Sequence, residues 1–283
     1  MAFDNTRAAL TRARSLRVCA RLSVVLALAA AAACASGPRR PPVGTPDPDK
    51  FLFERGTEEL DDKDWFTARE YFRQLVDSYP QSIHRGDAKL GIGDTYIGEG
   101  TTESYILAIN EFKEFLSFYP THRRAFYAQF KLGMSHFYQM RSAMRDQTET
   151  IEAIRELTVF VERFPNSELI DEGRLRLREA RDRLGEHELG VGVHYHRMRF
   201  YPATIERLKP LLDKDPQFTR RDAALFYLGD SFDKVGKPAE ALPYFERLLK
   251  EFEKSEFLLR AQTRATEIRA AMDKKTGGGS DEF

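Results

Sequence analysis

Disulfide chemistry is all but missing from this 283-residue chain, which has only two cysteines, Cys19 and Cys34. Long apolar runs are scarce too. After residue 34 no stretch is apolar enough to make a membrane-spanning helix. Net charge is absent overall, with 44 basic and 44 acidic side chains. The balance is uneven, because the first 33 residues hold five arginines and a single acid, Asp4. The remainder carries 39 basic against 43 acidic groups. A nucleic-acid binder needs surplus positive charge to neutralise phosphates, so that class is disfavoured. Catalytic signatures are also wanting. Gly91-Ile92-Gly93 with Gly98 lacks the third glycine of a dinucleotide loop and follows no strand. His194-Tyr195-His196 places two histidines two residues apart, whereas zinc pairs on a helix use i, i+4. No serine sits in a nucleophile elbow. The expectation is a protein without cofactor, metal or enzymatic activity.

What the chain has instead is an internal repeat. Ala68 is followed by Phe72 and, twelve residues on, by Pro80; Ala108 by Phe112 and Pro120; Ala153 by Leu157 and Pro165. Ala241 and Phe245 repeat the pair without the proline. A second block alternates with the first: Ala88 with Ile92-Gly93 and Tyr96, Ala128 with Leu132-Gly133, and Ala224 with Leu228-Gly229 and Phe232. Two alternating helix signatures at a period of roughly 40 residues mean stacked helical hairpins. The alanine lets two helices approach, and the large residue four positions later fills the groove on the same face. Tyr-Pro or Phe-Pro then ends the helix, because the residue before proline avoids helical dihedrals. The expected helices cover 49–61, 65–79, 85–99, 103–119, 123–141, 148–164, 202–214, 220–235, 238–253 and 256–274. Residues 168–199 read as one long helix or two broken near Gly185 to Gly192. Asn166-Ser167 offers a cap for that helix.

The N-terminus reads as a targeting segment. Arginines are followed by the twelve-residue apolar run 22–33, too short to span a bilayer. The run ends Ala31-Ala32-Ala33-Cys34, which resembles the bacterial lipoprotein signal with Cys34 as the acylated residue. Ordinary secretion with cleavage after an Ala-x-Ala triplet is the alternative. Ala35 in place of an aspartate favours the outer membrane over the inner. The expected organisation is a signal peptide over 1–33, an acylated cysteine and Pro-rich tether over 34–48, the repeat domain over 49–254, a capping helix over 255–274 and a disordered tail over 275–283. The fold class is all-α: a right-handed superhelical array of about five tetratricopeptide-like hairpins.

Further motifs occur in order. They are Tyr119-Pro120-Thr121-His122, Arg145-Asp146-Gln147-Thr148, Phe164-Pro165-Asn166-Ser167, then Asp171, Arg174-Leu175, Asp182-Arg183-Leu184, Glu188, Tyr195, Tyr201, Ala203 and Arg207. Together with the lipobox-like start they resemble the BamD family of outer-membrane assembly lipoproteins, over about residues 49–253. The resemblance implies a scaffold for inserting β-barrel proteins into the outer membrane, held at its periplasmic face by a lipid anchor. It implies N-terminal repeats that receive unfolded barrel proteins through an aromatic-rich C-terminal signal. It also implies a C-terminal half that docks on the periplasmic domains of the barrel-forming insertase, with accessory lipoproteins as further partners. The chain departs from the family at Met198-Arg199, where an Arg-Gly pair is usual, so Arg197 or Arg199 is expected to supply the basic group.

For the substrate groove the expected residues are Arg85, Lys89, Tyr96, Arg123, Phe126, Tyr127 and Phe130, all on first helices of hairpins. Arginine suits bidentate carboxylate recognition, and aromatics suit an aromatic chain end. The docking set is Tyr195, Arg197, Arg199, Tyr201 and Arg207. The arginine run 174–183 interleaves with Glu172, Glu179 and Asp182 and reads as an ion-paired, solvated face. Two other classes compete with the scaffold: a tetratricopeptide pilotin lipoprotein for secretin assembly, and a periplasmic enzyme or glycan-binding protein, for which no segment is left over.

Overall fold

The computed structural model describes residues 40–277, with side chains through residue 274. The signal segment, Cys34 and residues 278–283 lie outside the described residues. Eleven α-helices and no strand are present among those described. The chain is all-α and built of tetratricopeptide-like helical hairpins. It divides into two compact units, one ending at Gly98 and one beginning at Glu99.

The first unit holds α1 (Pro48–Asp61), α2 (Trp65–Ser78) and nearly all of α3 (Arg85–Glu99). Its packing centres on Phe72, which is 1% exposed. Gly56 of α1 and Gly91 of α3 lie against opposite parts of that ring; a Cβ added at either would sit 2.7 Å or 2.6 Å from it. Gly91, the first glycine of the Gly-x-Gly in α3, is thus a seat for an aromatic ring. Burying one such ring contributes about 2–3 kcal/mol. Asp64 caps α2 by accepting from the Thr67 amide at 3.1 Å. Residues 40–47 form no helix, and Thr45 folds back on the Pro42 carbonyl at 2.8 Å.

The second unit holds α4 (Thr102–Phe118), α5 (Ala125–Phe137), α6 (Thr148–Arg163), α7 (Ile170–Arg197), α8 (Tyr201–Lys214), α9 (Arg221–Lys234), α10 (Pro238–Glu251) and α11 (Leu258–Gly277). Each helix packs on the next, and α5 with α7 and α7 with α9 add contacts across hairpins. The repeated small residues Ala108, Ala128, Ala153, Ala224 and Ala241 are completely buried, as are Phe112, Leu157 and Phe245. Tyr119 and Phe164, each before a proline, end their helices in non-helical dihedrals.

Two expectations need correction. The helix expected over 123–141 stops at Phe137. The connection to α6 is instead a docked loop, with Arg183 donating to the Arg141 carbonyl at 2.9 Å and His187 bonded to the Ala143 carbonyl at 2.7 Å. Ser167 does not cap α7, whose N-cap is Leu169; its hydroxyl orders the preceding turn by accepting from the Leu169 amide. Of the two readings of residues 168–199, the single long helix is the one found: α7 runs unbroken through Gly185 and Gly192. These glycines are contact points for Phe218 and Leu208, and the neighbouring helices hold the segment helical.

Candidate functional site

The expected groove residues fall in both units. In the first, α3 carries Arg85, Lys89 and Tyr96. Arg85 donates to the Val76 carbonyl at 3.3 Å. Lys89 and Tyr96 are buried, at 7% and 6% exposure. The Tyr96 hydroxyl accepts from Arg73 at 2.6 Å, and the Arg69 guanidinium lies 4.2 Å from its ring centre. Tyr96 is therefore the hub of a cation–aromatic cluster, and the surface it offers a partner is small.

In the second unit, α5 and the residue pair before it carry the other four. Phe130 is buried and packs on Phe160 at 5.4 Å between ring centres, in one core with Met134, Leu157 and Leu177. Phe126 is half-buried against that core. Tyr127 is half-buried under Arg124, 4.4 Å away, and Lys131, 5.2 Å away. Arg123 and Phe126 meet in a cavity of about 650 Å³, together with Arg124, Arg163 and Phe164. Arg163 is tied across to the Pro120 carbonyl at 3.1 Å. The structure thus adds Arg124, Arg163 and Phe164 to Arg123 and Phe126. Phe-Pro had marked residue 164 only as a helix end.

The docking set gathers at the corner between α7 and α8. Arg197 is the last residue of α7, and Tyr201 is the first of α8. The Phe200 amide donates to the Tyr195 carbonyl at 2.9 Å and the Arg199 amide to the His196 carbonyl at 3.0 Å. That is a Schellman stop, and it requires left-handed backbone at Arg199, where φ is +62°. Arg197 and Arg199 are exposed and make no ion pair or side-chain hydrogen bond among the described residues. Met198 and Phe200 beside them are 58% and 60% exposed. Arg207 lies further along α8, paired with Glu188 of α7 at 3.3 Å.

Beneath the corner is a brace that sequence reasoning missed. His196 bonds Asp230 of α9 at 2.8 Å through Nε2, and its ring meets those of Tyr201 and Tyr227 edge-on. Arg264 of α11 pairs with Asp230 at 3.6 Å and with Asp233. Burial pushes the Asp230 carboxyl up, but the His196 hydrogen bond and the positive charges of His196, Lys234 and Arg264 prevail and hold it below the ordinary value. Tyr195 meets His194 edge-on, with ring centres 6.1 Å apart.

Within the arginine run on α7, Arg176 and Arg178 are the ones ion-paired, while Arg181 and Arg183 donate to the Thr158 hydroxyl and the Arg141 carbonyl. Arg176 pairs with Glu172 and Glu179, and Arg178 with Asp182 and, across the fold, Asp215 at 2.8 Å. The Arg-Asp-Gln-Thr segment is a loop fastener. Buried Gln147 donates to the Ser142 and Arg145 carbonyls, both at 2.9 Å, and accepts from Thr150. Asp146 accepts from the Thr148 amide and hydroxyl. No group of three or more histidine, cysteine or acidic side chains suited to a metal occurs among the described residues.

Comparison with known proteins follows the same lines. A family model described as YfiO, outer membrane lipoprotein, matches residues 46–244. The outer membrane protein assembly factor BamD of Caulobacter vibrioides is 29% identical over 222 residues, covering 78% of this chain and 72% of that protein. The protein of the same name from Neisseria meningitidis serogroup A is 24% identical over 220 residues, covering 74% and 81%. Among solved structures, a MamA protein aligns over 74% of this chain and 94% of its own, at 18% identity and a TM-score of 0.33. The TPR2AB domain of yeast Sti1 aligns over 81% and 86%, at 10% identity and a TM-score of 0.41. Neither superposition is close enough to bear on function.

Proposed function

This chain belongs to the YfiO family of outer membrane lipoproteins, and from that membership we propose that it is a non-enzymatic scaffold of the machinery that assembles β-barrel proteins in the outer membrane. Its relatives bear the name of outer membrane protein assembly factors. In this reading Cys34 carries the lipid anchor, and more than one acyl chain makes the attachment stable. The early repeats receive unfolded barrel proteins. In the second unit the reception surface is the cavity of Arg123, Phe126, Arg163 and Phe164, where guanidinium groups meet a carboxylate and the rings meet an aromatic side chain.

The corner between α7 and α8 docks on the barrel-forming insertase. The observation that carries this assignment is the strained Arg199, set between exposed Met198 and Phe200 and next to unpaired Arg197. Left-handed backbone at a non-glycine residue persists where the surroundings enforce it, and such positions cluster at binding sites. Two arginines alternating with methionine and phenylalanine match the residue types enriched at interface cores.

The test is affinity purification of the tagged protein from solubilised outer membranes, with mass spectrometry of what accompanies it. An insertase with repeated periplasmic domains is expected, and its recovery should fall when Arg197 and Arg199 are both replaced by glutamate. Loss of one such arginine costs about 2 kcal/mol, near thirtyfold in affinity. Undiminished recovery with the double variant would remove the corner from the interface. Recovery of a secretin in place of the insertase would move the protein to the pilotin class.

A further inference from the structure

A second basic cavity lies against α7 and shares no lining residue with the arginine-lined cavity at Phe126. It encloses about 680 Å³ between α7, α9, the start of α11 and the loop residue Met144. Its floor is apolar, formed by Leu189, Val193 and Tyr227. Gly190 gives the depth: a Cβ there would come 2.9 Å from the Met144 sulfur, so Met144 leans over a place where α7 has no side chain.

The rim is basic. Arg197, Arg220 and Arg260 line it with His194, against Glu186 and Glu256. Glu256 is engaged by Arg220 at 3.4 Å. Arg197 and Arg260 have no carboxylate partner among the described residues. Arg260 is nevertheless fixed in place, its guanidinium 4.3 Å from the Phe226 ring centre and 5.9 Å from that of Phe257. Stacking on an aromatic face orients an arginine without neutralising it, and leaves its hydrogen-bonding edge available. Little ordering entropy then remains to be lost when an anion arrives.

We propose that this cavity binds an extended acidic peptide segment, seating one bulky apolar side chain on the floor between Val193 and Tyr227 while Arg197 and Arg260 engage carboxylates on either side. The charge at the mouth selects acidic over basic sequences. The apolar floor selects a segment with an aromatic or leucine side chain over a purely acidic one. The site shares Arg197 with the corner, but Arg199, Met198, Phe200 and Tyr201 do not line it, so Arg260→Glu and Gly190→Leu test it apart from the docking role proposed for the corner.

The probe is a fluorescein-labelled, amidated peptide, Glu-Asp-Phe-Glu-Leu-Asp, titrated with the full chain in detergent and followed by anisotropy. Saturable binding is expected, lost when lysine replaces every acidic residue of the peptide. Arg260→Glu, at an exposed position, should weaken it at least tenfold. Gly190→Leu, which fills the floor without touching any charge, should weaken it to a similar degree. Arg174→Glu, on the far part of α7, should leave it within twofold. Thermal melts monitored by circular dichroism establish that each variant is folded. The proposal is overturned if the wild-type chain shows no saturable binding, if Gly190→Leu binds as the wild type does, or if Arg174→Glu weakens binding as much as Arg260→Glu. The last result would reduce the interaction to general charge attraction.

Discussion

Replacing Arg199 by glycine is expected to raise the melting temperature while weakening the partner interaction. The residue sits at φ +62°, the left-handed position that its Schellman bonds impose. An L-residue with a Cβ pays about 1–2 kcal/mol there. Glycine removes that cost but gives the unfolded chain more freedom, which returns about 0.4–1 kcal/mol. The net gain is about 0.5–1 kcal/mol, or roughly 1–4 °C for a unit of this size. Arg199→Ala keeps the Cβ and should gain nothing, which separates backbone relief from loss of the side chain.

Lys63 provides the control. It occupies the same position in the stop after α1, with φ +64° and the Asp64 amide donating to the Glu59 carbonyl at 2.9 Å. Lys63→Gly should stabilise to a similar extent. Thermal and urea melts of the four proteins are paired with purification from solubilised membranes. Both glycine variants should melt higher, and only Arg199→Gly should recover less insertase. A lower melting temperature for Arg199→Gly, or equal behaviour of the alanine and glycine variants, would refute the strain argument. Equal recovery from both glycine variants would refute the functional half.

Two further outcomes follow from the buried polar groups. Gln147→Ala leaves the Ser142 and Arg145 carbonyls without their donor and should destabilise by about 1–3 kcal/mol, with new protease cleavage within residues 139–147 as the diagnostic. Acid should unfold the second unit partly through Asp215 and Asp230. Burial pushes each carboxyl up, but Arg178 for the first, and His196 with Lys234 and Arg264 for the second, hold both below the ordinary value. Because the folded pKa lies under the unfolded one, near 3.9, their contribution is complete above about pH 4 and is lost as pH falls through the folded value. Asp215→Asn and Asp230→Asn should each be less stable at pH 7 and lose less on acidification, read as urea midpoints from pH 7 to pH 3; slopes identical to the wild type would refute the assignment.

The hairpins were legible because their signal is local. Ala108 and Phe112, or Ala241 and Phe245, lie one turn apart on one helix, so a single face reports both the close approach and the side chain that fills it. Helix ends were legible where proline dictates them. At Phe252 the backbone takes φ −134° and ψ +69°, close to the −124° and +53° of Phe164, with no proline following. The helix was accordingly expected to run to residue 253, and it stops at Glu251. The loop 139–147 was misread for a related reason: residues 138–141 have no breaker, and what ends α5 is the docking of the loop on Arg183 and His187, 42 and 44 residues distant from their partners.

The corner shows where local reading gives out. Departure from glycine at Arg199 was visible as a departure, but arginine has no preference for left-handed backbone, so its conformation was not. The conformation is set by the carbonyls of Tyr195 and His196, which need donors once α7 ends. The same stop ends α9, with Gly236 at φ +78° and the Lys237 amide donating to the Phe232 carbonyl. Three helices therefore use one geometry, and only one of them uses the residue that adopts it without strain. Of the two strained cases, Lys63 stands between exposed Asp62 and Asp64, the latter capping α2. Arg199 stands between Met198 and Phe200, both more than half exposed, over a brace in which His196, Asp230 and Arg264 tie α7, α9 and α11 together. A rigid base under an exposed apolar pair, with two unpaired cations beside it, has no use in packing. On the docking role proposed for the corner, a glycine at residue 199 would be the better residue for the fold and the poorer one for the scaffold.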